Sequence, residues 1–168
     1  MERTKVFLTE ADRYVFGKGT HYEIYEKMGA HCTECDGKKG VYFAVWAPAA
    51  ECVQVVGDFN GWDGSGYEMT RLGESGIFEL FTDKAQNGSM YKYLITARDG
   101  RKLYKADPYG NYCQVRPETA SIVTSLDGFE WKDAEWIKAQ SEVIHEKQAI
   151  SIYEVHPGSW KKKDDGTE

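Results

Sequence analysis

From Gly29 to Thr124 the chain is cut into short β-branched and aromatic runs by turn-forming residues, at a spacing of about ten residues. That punctuation leaves no room for long helices or for the crossovers of a parallel sheet. Val41, Phe43, Val45 and Ala47 alternate with Tyr42, Ala44 and Trp46 until Pro48 ends the run. Residues 52–57, 67–72, 77–82, 90–97, 102–105 and 119–124 repeat the pattern. They are parted by signals such as Gly73-Glu74-Ser75-Gly76, Asn87-Gly88-Ser89 and Asp99-Gly100. About seven or eight such strands predict an all-β, immunoglobulin-like sandwich of two packed sheets. An aromatic content of 14%, mostly tyrosine, suits strands better than a helical bundle.

The flanks read differently. Thr9-Glu10-Ala11-Asp12 is a capping sequence and predicts a short helix over 10–16, stopped by Gly17 and Gly19. Residues 21–28 fit neither period and read as coil or one helical turn. Past Ser125, Asp127-Gly128 marks a turn and residues 131–146 read as a helix. The apolar run Ile150-Ser151-Ile152-Tyr153-Glu154-Val155-His156 then predicts a strand, ended by Pro157-Gly158. With no helix after it, this run resembles the opening strand of a sheet whose remainder lies elsewhere. The expected organisation is an N-terminal helical or extended segment (1–34), the sandwich (35–125), a linker helix (126–149) and the lone strand with a polar tail (150–168).

Composition excludes several classes. A net charge of -6 disfavours nucleic acid, which requires a basic face to displace counterions. Lys161-Lys162-Lys163 is followed at once by Asp164-Asp165 and reads as a solvated tail. No apolar run approaches the roughly 20 residues of a membrane span. The first ten residues carry no apolar core or cleavage site of a secretory signal, so a cytoplasmic location and reduced cysteines are expected. Cys32-Thr33-Glu34-Cys35 could open a zinc site, but no second pair follows, and no metal or cofactor is expected.

One turn is chemically out of place. In Val55-Val56-Gly57-Asp58-Phe59-Asn60-Gly61-Trp62-Asp63-Gly64 a tryptophan sits between two turn signals, where chains normally show water something small and polar. An indole face can cover the C–H face of a sugar ring while neighbouring amides and carboxylates, such as Asn60 and Asp63, bond the hydroxyls. In residues 90–95 Tyr91, Tyr93 and Ile95 share one face, so Lys92 points to the other and can donate to a sugar. Tyr104 could add a second aromatic surface. The alternative is that Trp62 folds onto its own loop, Lys92 is a solvated charge and Tyr104 packs on a strand. Asp58 and Asp63 flank the loop, but turn aspartates ordinarily hold the turn, and no catalytic constellation is visible.

Several blocks together resemble one family. Tyr25-Glu26-Lys27-Met28-Gly29-Ala30-His31, Phe43-Ala44-Val45-Trp46-Ala47-Pro48, Val56 to Gly64 and Gly76-Ile77-Phe78-Glu79-Leu80-Phe81 are similar to the bacterial 1,4-α-glucan (glycogen) branching enzymes. So are Lys105-Ala106-Asp107-Pro108-Tyr109, Arg116-Pro117-Glu118-Thr119-Ala120-Ser121 and Ile152 to Trp160. Pro157 departs from the family, which usually has leucine there. The resemblance implies that residues near 35–125 form a family-48 carbohydrate-binding module, an early-set immunoglobulin-like sandwich. It also implies that residues from about Ile150 open a family-13 (β/α)8 barrel.

Family catalysis is a retaining double displacement by an aspartate nucleophile and a glutamic acid, with carboxyls roughly 5 Å apart. The resemblance places none of those residues in this chain, which is expected to be inactive by itself. Trp62, Lys92 and Tyr104 match positions that related glycogen-binding modules use for sugar. Implied partners are α-glucan (glycogen, maltooligosaccharide) and the catalytic barrel of a full-length parent. The competing readings are a stand-alone glycogen-targeting module, or the module of a debranching or trehalose-releasing relative.

Overall fold

The computed structural model describes residues 7–126, 130–143, 147, 149–160, 163–164 and 166. They fall into two units, Met1–Asp127 and Gly128–Glu168. The first unit carries strands β1 (Gly29–Cys35), β2 (Lys38–Trp46), β3 (Ala50–Gly57), β4 (Thr70–Arg71) and β5 (Ile77–Thr82). These are followed by β6 (Met90–Ala97), β7 (Lys102–Lys105), β8 (Tyr112–Cys113) and β9 (Ser121–Ile122). One sheet has the order β1-β2-β5-β4; the other runs β3-β6-β9-β8, with β7 also paired to β6. All pairings are antiparallel, and the two sheets form the immunoglobulin-like sandwich that the turn spacing predicts.

Alternation along the central strands explains the inner core. Val41, Phe43 and Val45 of β2 meet Val53 and Val55 of β3 and Tyr91 and Tyr93 of β6, all at 3% exposure or less. Tyr91 and Tyr93 carry hydroxyls into this core, and Asp107 receives them. Its Oδ2 accepts from Tyr91 at 2.6 Å and Tyr93 at 3.0 Å, and its Oδ1 from the Tyr109 amide at 2.8 Å. Burial pushes the Asp107 carboxyl above its ordinary value even though these three donors pull it down. The same burial, with Asp107 beside them, pushes both tyrosine hydroxyls up.

A second apolar cluster lies on the outer face of the four-stranded sheet. Tyr42 and Ala44 alternate with the core residues of β2 and therefore point outward, where Phe7, Leu8, Ile24 and Met28 cover them. The Phe7 ring lies 4.6 Å from Tyr42, and the Tyr42 hydroxyl donates to Glu79 at 2.7 Å. Helix α1 (Glu10–Gly17) is adjacent, opened by a Thr9–Asp12 capping box. Asp12 also accepts from Lys27 at 2.8 Å and lies 3.0 Å from His21, tying the helix to the segment before β1. Burial would raise the Asp12 carboxyl, but the Lys27, Thr9 and His21 bonds outweigh it and hold it well below the carboxylate range.

Several sequence expectations are corrected. The strand expected over 67–72 is shared between sheets: Tyr67 and Met69 bond to β3, then Thr70 and Arg71 pair with β5. Of 119–124, only Ser121–Ile122 joins a ladder, together with β8, which the sequence did not suggest.

In the second unit α2 spans Ala134–Ser141, inside the expected 131–146. The Asp127-Gly128 turn, residues 144–146 and the first two lysines of the tail lie outside the described residues. Residues 150–156 form no strand, and Ile150, Ile152, Tyr153 and Val155 are exposed. A strand exists only through its ladder, and apolar sequence without a bonded neighbour does not make one. A short helix α3 (Pro157–Trp160) follows, with Trp160 edge-on to Tyr153 at 5.6 Å.

Candidate functional site

The loop after β3 is built to present Trp62. Gly57 approaches so closely that a Cβ there would meet the Met90 carbonyl oxygen at 2.3 Å and the Phe59 ring at 2.5 Å. Phe59 turns inward, 6.1 Å from Phe43 and 5.8 Å from Tyr67, and anchors the loop in the core. Asp58 accepts from the Met90 amide at 3.1 Å, stitching the loop to β6. Asn60 accepts from the Gly57 amide at 2.9 Å and donates to the Val55 carbonyl at 3.0 Å. Its side-chain amide therefore holds the loop. Asp63 Oδ1 accepts from the Ser65 amide at 3.0 Å and hydroxyl at 2.9 Å, and those two bonds lower its carboxyl.

Trp62 itself takes a left-handed backbone, φ +62°, directly after Gly61 at φ +63°. Glycine adopts that region at no cost; a bulky side chain pays in strain and persists there only when its surroundings over-determine it. The Trp62 amide donates to the Gly57 carbonyl at 2.8 Å, and the ring is 40% exposed.

Register places the other candidates on one face. Lys92 pairs with Val56, and Leu94 pairs with both Gln54 on β3 and Tyr104 on β7. Directly opposed residues share a face, and Tyr91 and Tyr93 occupy the inner one, so Lys92, Leu94 and Tyr104 lie on the outer face of the five-stranded sheet. The Trp62 loop returns over the same face: Gly64 packs on the Gln54 side chain, whose amide donates to the Gly64 carbonyl at 2.9 Å. Lys92 is half-buried and its ammonium donates to the Thr119 hydroxyl at 2.8 Å, which steadies it over the sheet. Tyr104 is 58% exposed.

Lys92 and Tyr104 therefore share this face and the Trp62 loop returns over it at Gly64, while Asn60 works beneath the loop and Asp63 at its turn. Thr119 is the partner that sequence reasoning did not assign. Only the fold brings it beside Lys92. The register also sets Lys102, opposite Thr96, on this face. A separate concavity of about 440 Å³, lined by Glu34, Lys39, Asp83 and Gln86 among others, involves none of these residues.

Cys32 and Cys35 stand an odd number of positions apart on β1, so their side chains leave on opposite faces and cannot converge on one ion. Among the described residues no cluster of three or more His, Cys, Asp or Glu could hold a metal. Among them, too, no helix is long and apolar enough to cross a membrane.

With this geometry in place, comparison with known proteins is informative. Residues 27–110, half of the chain, match carbohydrate-binding module 48 (isoamylase N-terminal domain). The chain belongs to that family. Nearly all of it is also similar to curated branching enzymes, as its sequence blocks suggest. It is 55% identical over 98% of its length to 1,4-alpha-glucan branching enzyme GlgB of Butyrivibrio fibrisolvens. It is 50% identical over 91% to that of Thermosynechococcus vestitus. The chain spans 26% and 20% of those proteins, about a quarter and a fifth of their length. Among solved structures, PulA of Klebsiella pneumoniae matches with a TM-score of 0.50 and 27% identity, over 61% of this chain and 10% of that one. The same protein in its maltotriose complex matches equally, over 11% of its length.

Proposed function

We propose that this chain is the glucan-contacting portion of a 1,4-α-glucan branching enzyme, and that it binds α-glucan on the outer face of its five-stranded sheet. The observation that carries the reading is Trp62: a large flat ring held half out of the fold, in a strained backbone conformation, beside a face bearing Lys92 and Tyr104. The indole would stack on one pyranose face and Tyr104 on another, with the Lys92 ammonium donating to hydroxyls between them. A polymer rich in hydroxyls suits an open surface that offers aromatic rings and ammonium donors.

Chain transfer, the cleavage of an α-1,4 link and its re-formation at a 6-hydroxyl, belongs on this reading to a barrel outside these 168 residues. The exposed Ile150, Ile152, Tyr153 and Val155 are apolar surface that such a barrel would cover. This supports a second, scaffolding role for the segment. The stand-alone targeting module has no use for that apolar run. A debranching relative fits less well, because similarity to PulA is 27% over 61% of the chain against 55% over 98% for a branching enzyme.

The test is affinity electrophoresis in glycogen gels, comparing the chain with Trp62→Ala. Retardation of the former and free migration of the latter supports the platform; equal migration of both removes it. Iodine staining of amylose checks the catalytic part, and any branching by the isolated chain would place active residues within it.

A further inference from the structure

The open face extends beyond the residues gathered so far. β9 pairs with the start of β6, setting Ile122 opposite Met90, and β8 in turn sets Tyr112 opposite Ile122. Met90 has the parity of Lys92, so Met90, Ile122 and Tyr112 all lie on the outer face. A side-chain contact agrees: Gln114, two positions beyond Tyr112, lies with its amide nitrogen 3.0 Å from the Met90 sulfur. The Tyr112 ring is 57% exposed and makes no hydrogen bond or ring contact with any described residue.

We propose that Tyr112 is a further glucan contact, forming a second arm of the platform. This rests on the glucan reading given above. β8 lies two strands beyond β6, and the Trp62 loop covers β3 on the opposite side. The span is three strand spacings, roughly 15 Å. One pyranose ring cannot bridge it; a chain of several glucose units can. Tyr104 stands at the level of Leu94 and Tyr112 at that of Met90, about 13 Å apart along β6, so the two tyrosines serve different rings. Trp62 and Lys92 are common to both arms. The Tyr104 arm lies across the middle of β6 and the Tyr112 arm across its start, so a long or bent chain gains a contact that a short one cannot reach. The occupant is α-1,4-glucan because this surface is continuous with the Trp62 platform in a chain of this family.

Calorimetry on the 168-residue chain with maltotriose and maltoheptaose tests the proposal. Tyr112→Ala is expected to weaken maltoheptaose by about three- to tenfold and leave maltotriose unchanged, with Tyr112→Phe keeping wild-type affinity since the ring face does the stacking. Trp62→Ala is expected to lose both sugars. The exposed position of Tyr112 predicts an unchanged urea midpoint for its variants, which controls for folding. Equal maltoheptaose affinity in Tyr112→Ala and wild type overturns the second arm while sparing the Trp62 platform. A wild-type chain that binds neither sugar overturns both.

Discussion

The two sheets treat their outer faces in opposite ways. Tyr42, Ala44 and Ile77, on the outside of the four-stranded sheet, are sealed by the chain's own Phe7, Leu8, Ile24 and Met28. The five-stranded sheet is covered only in part: Val56 and Leu94 of its outer face are buried, while strands β7 and β8 stand exposed. Its outer face keeps Tyr104 and Tyr112 in water and adds the half-exposed Trp62 from a loop. Both faces are aromatic, so composition does not separate them. What differs is how completely the chain covers the face, and aromatic surface left open in a folded unit is available to a partner. On the proposed reading, aromatic residues contribute stability on one side and recognition on the other.

That contrast yields graded expectations. The largest effect belongs to the sealed face: Tyr42→Ala should cost about 3–5 kcal/mol in urea unfolding and leave glycogen retardation of the folded protein unchanged. A loss of retardation in that variant would mean that the two faces are not independent. On the open face Trp62→Ala should weaken glycogen binding tenfold or more, equivalent to about 1.4 kcal/mol, with little change in urea midpoint.

A comparison at the same position isolates the strain. Trp62→Gly should be more stable than Trp62→Ala by about 1 kcal/mol, since only glycine takes φ +62° freely, the reverse of their usual order. Equal stability would mean that the loop relaxes once the indole is gone.

Acid should act on the sealed face. The Asp12 carboxyl is held below its unfolded value, so its contribution is complete above about pH 4 and is lost as pH falls further. Asp12→Asn should therefore flatten the decline in stability between about pH 4 and pH 2. Asp107 has the opposite sign: its carboxyl is raised, so its contribution is full in acid and fades as pH rises through the folded value. A variant that lost stability in parallel with wild type across the acid range would remove Asp12 from the account.

Much of this was legible before any fold was available. β5, β6 and β7 have the bounds read from alternation and turn residues, because their side chains repeat on a period of two and their ends carry glycine. α1 follows from Thr9 and Asp12, whose cap is local chemistry. The Trp62 loop stood out because its residue type conflicts with its position. β8 was hidden, since two residues carry no periodicity, and with it the placement of Tyr112. The crossing of residues 67–71 between sheets was equally hidden, because a strand that changes partners keeps the same alternation. The apolar run 150–156 shows the converse: pattern without a neighbour is not structure.

Local residue order was enough for the sandwich, the capped helix and an indole at a turn, since each depends on contacts a few positions apart or on recurring spacing, and the resemblance of whole sequence blocks was enough for the family. Tertiary pairing alone decided which aromatic face is sealed, that Lys92 meets Thr119, and that Tyr112 lies on the same outer face as Lys92. Those outcomes depend on strand register and on which distant segment lies over each sheet, and register couples residues far apart in the chain whose own sequence carries no record of the partner.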